Sequence, residues 1–355
     1  MVISLRRIRL HILGLFLLVA LIALPFYMFG ARFMFASAGG KPSQLVAGGY
    51  ICINAGQELK DVEAVYNSEE MSDFSDRFQR PSKQPALQLK YSSKDFINHT
   101  EQPPYIQVVF ESPDEVIQAY FSILRDAANM AGYYGGCGTI GWSTVPYPYA
   151  YELLSSETRK TISLEKFEES FKGIGHTTLL KLYPAYQPPG TPENMKYYMA
   201  EVEVITGPPY DEKENIYPQP SYFAYYYGII TVEKTPSEGW KIKSVKYIPE
   251  DFLCHPYHHW DYLAEALVGI VYKNWYGLVD EIENVEKTDS LVQVYAVGKG
   301  DRYRFDFVRL ANGDDVLLHE NILENGQWRE VNLLKPEDQI YKLSVINPLL
   351  SSCSE

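Results

Sequence analysis

Four potential zinc ligands lie close together in the sequence Cys254-His255-Pro-Tyr-His258-His259-Trp260. Zinc sites use three or four thiolate or imidazole ligands in a tetrahedral arrangement. The spacing argues against a joint site, because Pro256 suits the start of a helix and leaves Cys254 and His255 outside it. His258 and His259 are adjacent, so on a helix their side chains point about 100° apart. We predict a hinge between two domains and no metal, with a zinc site of these four residues as the alternative.

A glycine-rich stretch, Gly136-Cys-Gly-Thr-Ile-Gly141, matches the G-x-G-x-x-G spacing of dinucleotide-binding loops. Those loops follow a strand and open a helix, whereas here a helical pattern comes first. Cys137 would be a nucleophile only beside a base such as His176, and the sequence does not bring the two together. We predict no catalytic residue and no cofactor. The stretch is interpreted as a loop whose aromatic residues lie at a pocket mouth or an interface: Tyr133, Tyr134 and Trp142.

The chain has 29 tyrosines, four of them in the run Tyr222-Phe-Ala-Tyr-Tyr-Tyr227. On a strand Tyr222 and Tyr226 face one way, and Tyr225 and Tyr227 face the other. One of the two faces must belong to the core. The other presents rings to solvent, to a ligand or to the neighbouring domain. Sheet packing is the simpler interpretation; a stacking surface for sugars or peptides is the alternative, and it makes these four tyrosines candidate ligand or interface residues.

The first 38 residues are typical of an export and anchoring segment. Arginines at positions 6, 7 and 9 precede an apolar run from Ile12 to Phe29, which as a helix would be about 27 Å long and would cross a bilayer. The arginines place the amino terminus in the cytoplasm and the rest of the chain outside. We therefore predict a single-pass anchor that contacts the membrane through residues 10–30. Cleavage near Ala38, giving a secreted protein, is the alternative, and the length of the run argues against it.

Composition limits the partners of the exported part. With 355 residues, 46% hydrophobic and 22% charged, the chain can build about two globular domains. The net charge of the whole chain is −13. The first 32 residues hold four arginines and no acids, so the residues after Arg32 have a net charge of −13 − 4 = −17. This charge repels nucleic acid and anionic headgroups, so we predict no nucleic-acid partner. Export permits disulfides, but the four cysteines at 52, 137, 254 and 353 allow three pairings and require none.

The order of the elements after residue 103 is helices and then strands. Residues 39–103 are predicted to be a poorly structured tether, and Tyr105–Phe110 a short strand. Ser112-Pro113-Asp-Glu115 predicts a helix start with a capping box. Further helices are predicted near Tyr149–Leu154 and Ser163–Lys172. Four strands follow at Thr178–Tyr186, Lys196–Thr206, Tyr222–Glu233 and Trp240–Ile248.

Helices followed by an antiparallel meander predict an α+β layer fold for residues 104–253. Three features carry a resemblance to a known family: the helix from Pro113, the helix after Ser163 and the closing strand from Trp240. In these features residues 105–253 resemble the NTF2-like superfamily, which includes ketosteroid-isomerase-like and SnoaL-like domains. The resemblance implies a curved sheet wrapped around a long first helix to form a cone. Members of the ketosteroid-isomerase-like type hold an acidic base and hydroxyl donors in the cone. No site residue is carried over here, because Glu201, Glu203 and Glu233 on the predicted strands cannot be assigned to a catalytic position of the family without an alignment.

Residues 254–345 predict a second, smaller domain of a helix followed by an antiparallel meander. Its helical region is expected to run from His258 to about Ile282. The expected strands are Leu291–Val297, Tyr303–Leu310, Asp315–His319 and Trp328–Val331, and Asn312-Gly313 and Asn325-Gly326 predict two hairpin turns. Residues 346–355 are a tail. The family of this second domain is not recognised.

The function expected from these features is that of a membrane-anchored extracytoplasmic binding or assembly module without catalytic activity. Its partner would be another protein or a second copy at the cell surface. The alternative is an NTF2-like enzyme with a pocket, or a protein that binds a small ligand or glycan. A closed cone filled with tyrosines would favour the module. An open cone that holds a carboxylate of raised pKa would favour the enzyme.

Overall fold

A computed structural model describes residues 44–52, 85–97, 106, 108–130, 143–206, 222–252 and 260–347. All of them belong to one compact unit, Pro42–Glu355. The predicted anchor, the glycine-rich loop, the cysteine–histidine segment 254–259 and the tail after residue 347 lie outside these residues. Among the helices that are described, none is both long enough and apolar enough to span a membrane.

The first sheet has six strands in the order β1-β2-β6-β5-β4-β3. Strands β3 to β6 form an antiparallel meander, and β2 joins its β6 edge in parallel. All four strands predicted for this region are present, because long alternating apolar patterns separated by turns define them well. The bounds are β1 (Gln44–Val46), β2 (Gly49–Ile51), β3 (Ile174–Pro184), β4 (Met195–Thr206), β5 (Tyr222–Thr235) and β6 (Gly239–Pro249).

The described residues before the meander include four α-helices: α1 (Pro113–Arg125), α2 (Tyr147–Glu152), α3 (Ser156–Thr161) and α4 (Leu164–Glu169). Helix α1 lies on the sheet and contacts β3, β5 and β6. Ser163 caps α4 by accepting from the Lys166 amide at 3.2 Å. The predicted capping box of α1 is wrong, because the Ser112 hydroxyl bonds Asp114 and Glu115 pairs with Lys90. The strand predicted before α1 is also absent from its described residues, 106 and 108–110.

Two stretches of the predicted tether pack against the first sheet and its helices. Residues 44–51 form the hairpin of β1 and β2, and Cys52 continues the contact by donating its amide to Tyr247 at 2.9 Å. Residues 85–97 run past α1 and bury Phe96 and Ile97 in the same core. These contacts are distant in the sequence, so the local composition of the tether did not predict them.

The second sheet has five antiparallel strands in the order β11-β10-β9-β8-β7. Its strands are β7 (Glu281–Lys287), β8 (Leu291–Gly298), β9 (Asp301–Arg309), β10 (Asp315–Glu324) and β11 (Gln327–Val331). Helix α5 (Ala264–Leu267) continues into a π-helix, Val268–Trp275, and both pack on one face of this sheet. The predicted helix to Ile282 is therefore too long: helical structure ends at Trp275 and Ile282 lies in β7. Asn325 and Gly326 form the β10–β11 turn with φ of 52° and 78°, as their sequence predicts.

The first sheet is buried on both faces. One face packs on the helices, through side chains such as Val202, Ile230 and Ile242. The opposite face meets the second sheet in a separate apolar cluster that we call the joint. The joint comprises Cys52, Ala185, Met199, Tyr227, Ile229, Val308, Leu310, Val316, Leu318 and Leu343. Together the described residues therefore form an α+β structure with two sheets.

The close approach of β5 and β6 gives a test of this packing. A Cβ atom added to Gly228 would lie 1.8 Å from the backbone oxygen of Lys246, whereas one added to Gly269 would meet nothing within 4 Å. We expect Gly228→Ala to lower the free energy of unfolding by about 3 kcal/mol or more, because backbone cannot move aside as a side chain does. Gly269→Ala should be neutral or slightly stabilising, since it lies in a helix. Urea unfolding of both variants would check this, and equal stabilities would contradict the strand geometry.

Candidate functional site

The space between the helices and the first sheet is filled with aromatic side chains. Its largest members are almost completely buried: Tyr120, Phe121, Tyr147, Phe167, Phe171 and Tyr247. They contact one another, with Tyr147 stacked on Phe171 at 4.5 Å between ring centroids. One carboxylic acid lies beside this cluster: the charge of Glu168, on α4, raises the pKa of Tyr147, and burial raises the pKa of Glu168 itself. The interior thus has largely apolar walls, with tyrosine hydroxyls inside it and the Glu168 carboxyl group beside Tyr147.

Two of these hydroxyls have no hydrogen-bond partner among the described residues, those of Tyr120 and Tyr247. Burial raises the pKa of Tyr120 well above its ordinary value, and the nearby Tyr247 and Tyr147 raise it further. Burial also raises the pKa of Tyr247. Both groups are therefore neutral at physiological pH. Neutral phenols can donate a hydrogen bond but cannot act as a base there.

The β1–β2 hairpin covers these hydroxyls. Ala47 donates its amide to Ser170 O at 2.8 Å, and Gly48 donates its amide to the Ser170 hydroxyl at 2.9 Å. Gly48 has a φ of +74°, and a Cβ atom there would lie 2.5 Å from the Tyr120 hydroxyl oxygen. Glycine is required at this turn for both reasons, and its missing side chain lets the hairpin lie directly on the aromatic cluster.

A cleft of ≈ 690 Å³ lies beside the hairpin, at the end of the sheet where β4 ends and β5 begins. This volume is within the range of small-molecule sites. Tyr226, one of the predicted ligand residues, lines it, and its pKa is raised by burial. The charged groups of the cleft are Lys166, Glu169 and Lys172, near the end of α4. The other residues that line it are Leu45, Val46, Tyr50, Thr161, Ile162, Ser170, Ile174, Val204 and Thr206.

The two faces of the tyrosine run have different neighbours. Tyr226 packs with Ala224 against the helix-side core, and its ring lies 5.8 Å from that of Tyr247. Tyr225 and Tyr227 are buried on the opposite face. Tyr225 donates its hydroxyl to Glu203 at 2.5 Å, and Tyr227 belongs to the joint. Of Tyr222 the structure describes the backbone alone, in β5. The structure thus separates the predicted tyrosines into one beside the cleft and two beneath the second sheet.

The acids of β4 also lie on the face of the joint. Glu201 forms an ion pair with Lys181 in which the side chains are 0% and 2% exposed. A β-bulge between Leu179 and Lys181 produces this pair, because without it Lys181 would share the helix-facing side with Leu179. Burial lowers the pKa of Lys181, and the charge of Glu201 opposes that shift. Glu203 is engaged with Tyr225, so neither acid points into the aromatic interior.

A second carboxyl group of raised pKa, that of Glu250, lies on the side of the joint, next to Glu201. Burial raises the pKa of Glu250 well above its ordinary value, and the neighbouring Glu201 raises it further. The turn between β9 and β10 completes the arrangement: Ala311 donates its amide to Glu201 at 2.6 Å, and Asn312 donates its amide to Glu250 at 3.3 Å. Two buried carboxyl groups thus lie close together, and two consecutive backbone amides donate to them.

Sequence reasoning missed Lys181 and Glu250. A signal for the first was present, since Lys181 stands in the apolar stretch Leu179-Leu180-Lys181-Leu182 and a lysine in a buried strand needs an acidic partner. Glu250 follows β6 at the start of an irregular segment and has no such pattern. Its role depends on a turn sixty residues away, which local periodicity does not reveal.

The remaining predicted site residues lie outside the described part of the chain. These are Tyr133, Tyr134 and Trp142 of the glycine-rich loop and Cys254, His255, His258 and His259 of the predicted hinge. Within the described residues, no group of three or more histidine, cysteine or acidic side chains is arranged to hold a metal ion. Cys52, at the edge of the joint, is disulfide-bonded.

Comparisons with known proteins add little to this geometry. No family model matches the sequence, and no curated protein matches it either. Among solved structures, one described as an "Ntf2 like protein involved in plasmid conjugation" is 10% identical to this chain. The match covers 50% of this chain and 84% of that chain, with a TM-score of 0.19. A TM-score this low carries no argument, and the contacts within the chain are the stronger guide to its function.

Glu250→Gln tests the raised pKa of the buried Glu250 carboxyl group. Because the folded-state pKa of Glu250 lies above its ordinary value of 4.5, its stabilisation is complete below that pH and is lost as pH rises through the folded pKa. We expect the Tm of the unmodified chain to fall from about pH 5 to about pH 9 more than that of Glu250→Gln, whose amide is neutral throughout. Thermal unfolding across this range measures the difference.

The matched control is Glu324→Gln, which changes an exposed acid paired with Arg329 on the second sheet. This variant should keep the pH dependence of the unmodified chain. Parallel curves for the unmodified chain and Glu250→Gln would show that the pKa of Glu250 is not raised in the folded state.

Proposed function

We propose that the chain is a membrane-anchored extracytoplasmic binding or assembly module without catalytic activity, and that residues 104–253 are an NTF2-like domain. The observation that carries the proposal is the interior of the first sheet, which is filled with aromatic rings and covered by the β1–β2 hairpin. General acid–base catalysis needs a titratable group within hydrogen-bond reach of the substrate. The buried acids of β4, Glu201 and Glu203, lie on the opposite face of the sheet, where Lys181, Tyr225 and the Ala311 amide engage them.

The NTF2-like assignment rests on the arrangement of α1 and the meander. Helix α1 lies across the antiparallel strands and contacts β3, β5 and β6. Among the short helices that follow it, α2 and α4 contribute buried aromatics such as Tyr147 and Phe167 to the same core. A sheet packed on a long first helix, with short helices completing the core, is the arrangement that the sequence resemblance implies.

Two observations support anchoring and export. Residues 1–38 have the arginines and the apolar run of a signal anchor. Cys52 is disulfide-bonded, and disulfides persist in oxidising compartments outside the cytoplasm. We place the amino terminus in the cytoplasm and the two sheets outside, with secretion after cleavage near Ala38 as the alternative.

Protease digestion of intact cells tests this orientation. If the cells have a wall or an outer membrane, it is first made permeable so that the protease reaches the outer face of the cytoplasmic membrane. We expect the sheets to be degraded from outside while a tag at the amino terminus stays protected and remains in the membrane fraction. A cytoplasmic protein digested only after lysis is the control. Protection of the sheets in intact cells would overturn the orientation, and a sheet fragment released into the medium would support secretion.

Removal of the interior hydroxyls tests the absence of a ligand site there. In the double variant Tyr120→Phe, Tyr247→Phe each lost hydroxyl has no described partner, so we expect stability to stay the same or to rise by about 1 kcal/mol. Tyr225→Phe is the matched control. Its hydroxyl bonds Glu203 at 2.5 Å, and its loss should cost about 1.5–3 kcal/mol. Urea unfolding gives both values.

A clear loss of stability in the double variant would contradict the proposal. It would mean that the two hydroxyls bond something inside the cone, which is the property expected of an occupied pocket.

One observation favours a second candidate function, the binding of a small ligand in the cleft beside the hairpin. The cleft has the volume of a ligand site, and Tyr226 offers a ring to it. Lys166 and Lys172 at its rim would suit an anionic group. A small molecule that co-purifies with the full chain, is released on unfolding and fails to bind after Tyr226→Ala would establish this alternative.

A further inference from the structure

Five apolar side chains form an exposed patch where the π-helix ends. Leu263, Trp275 and Ile340 are 55%, 52% and 45% exposed, and Trp260 and Tyr341 are half-buried between them. The ring of Trp260 lies 5.6 Å from both Trp275 and Tyr341, and those two rings lie 6.3 Å apart. We call these five residues the aromatic patch. Single exposed apolar residues are ordinary, but a contiguous set is a mark of an interaction surface.

The π-helix is the reason that Trp275 is exposed. In an α-helix Trp275 would share the buried side with Tyr272, three residues earlier. The wider π turn, seen in the bond from the Tyr276 amide to Val271 O at 2.9 Å, rotates Trp275 away while Tyr272 stays completely buried. Helices of this kind are rare and occur frequently at functional sites.

Acidic residues surround the patch. Asp261 follows Trp260, and Glu337 and Asp338 precede Ile340 in the same 3-10 helix. Among the nearby bases, Lys335 lies over the ring of Tyr276 with 4.7 Å between its Nζ and the ring centroid, and Lys273 donates to Asp280 O. Aromatic faces also attract cations. The patch therefore combines apolar area with neighbouring acids that outnumber the lysines, although Asp338 also accepts from the Tyr276 hydroxyl.

The acids beside the patch favour some binding partners and disfavour others. A second copy would bring its own acids against these, and both copies carry the overall charge of −13, so repulsion opposes self-association. An anionic membrane surface is repelled for the same reason. A protein segment that carries arginine or lysine beside apolar side chains meets neither obstacle, and tryptophan and tyrosine are the residues that most often dominate such interfaces.

We propose that the aromatic patch is the docking surface for a basic segment of another exported protein. Apolar side chains of that segment pack against Leu263, Trp275 and Ile340, and its cations pair with the acids of the rim. This inference rests on the proposed function, since it gives the binding module its surface and the chemistry of its partner.

Photo-crosslinking in living cells tests the proposal. A photoreactive phenylalanine replaces Leu263, Ile340 or Val109 in three separate variants. Each variant is the full chain in its own membrane. Val109 precedes α1, is 62% exposed, and serves as a comparison position away from the aromatic patch. We expect irradiation to join positions 263 and 340 to another protein through a peptide of net positive charge. The yield should fall as salt is raised, because charge pairs at a rim are screened.

Second-site variants give the proposal its matched controls. Trp275→Ala and Glu337→Lys should each lower the yield at position 263 about tenfold, through the lost ring and the reversed charge. Glu193→Lys makes the same charge change on an exposed loop of the first part of the chain and should leave the yield unchanged. Circular dichroism of each purified variant confirms that it remains folded.

The outcomes separate the docking surface from the proposed function. Adducts with copies of the same chain, with lipid, or with a protein whose capture ignores Trp275→Ala and Glu337→Lys would overturn the aromatic patch as a site for a basic partner. An adduct at Val109 alone would overturn the patch and leave the binding module standing. Absence of any protein adduct at all three positions would overturn both.

Discussion

The ion pair of Lys181 and Glu201 is the contact on which the arrangement of the two sheets depends. Both side chains have almost no solvent exposure, and an isolated charge in such a place costs several kcal/mol. The pair satisfies each partner's charge, but Glu201 needs a further donor for its second oxygen, and the Ala311 amide of the second sheet supplies it. The ion pair is therefore complete only when the second sheet is in place. Removal of either partner would leave the other buried and uncompensated, at a cost of about 3–5 kcal/mol.

This contact explains why the outer face of the first sheet offers no open binding surface near the joint. Apolar side chains from both sheets surround the ion pair, among them Met199, Ile229 and Leu318. Lys342 lies nearby, completely buried between Glu320 and the ring of Tyr186 with 3.7 Å to its centroid, so a second buried charge also requires residues from both parts of the chain. Two such charges make separation of the sheets unfavourable. Tyr225 and Tyr227 consequently act as packing groups rather than as an exposed stacking surface.

Local sequence patterns predicted the elements that have a regular hydrophobic periodicity. They did not predict the features that depend on distant contacts or on backbone irregularities. The four strands of the meander and the two faces of the tyrosine run follow from alternation, and the Asn325-Gly326 turn follows from turn chemistry. Helix α3 buries no apolar side chain and β7 is an acidic edge strand, so neither shows a clear hydrophobic period. The bulge at Leu179 and Lys181 redirects one side chain, and a one-residue shift of this kind leaves no trace in composition. The π-helix does the same for Trp275, so backbone irregularities determined both the buried ion pair and the aromatic patch.

Two constraints then leave the outer surface as the place for function. The interior of the first sheet is occupied by its own aromatic rings, and the opposite face is occupied by the second sheet. The cleft beside the hairpin and the aromatic patch belong to that outer surface, and their charges differ: two lysines and Glu169 line the cleft, whereas three acids lie beside the patch. A chain with a net charge of −13 attracts cations over most of its surface. The patch concentrates that attraction at exposed tryptophan, where loss of water from apolar area adds to it.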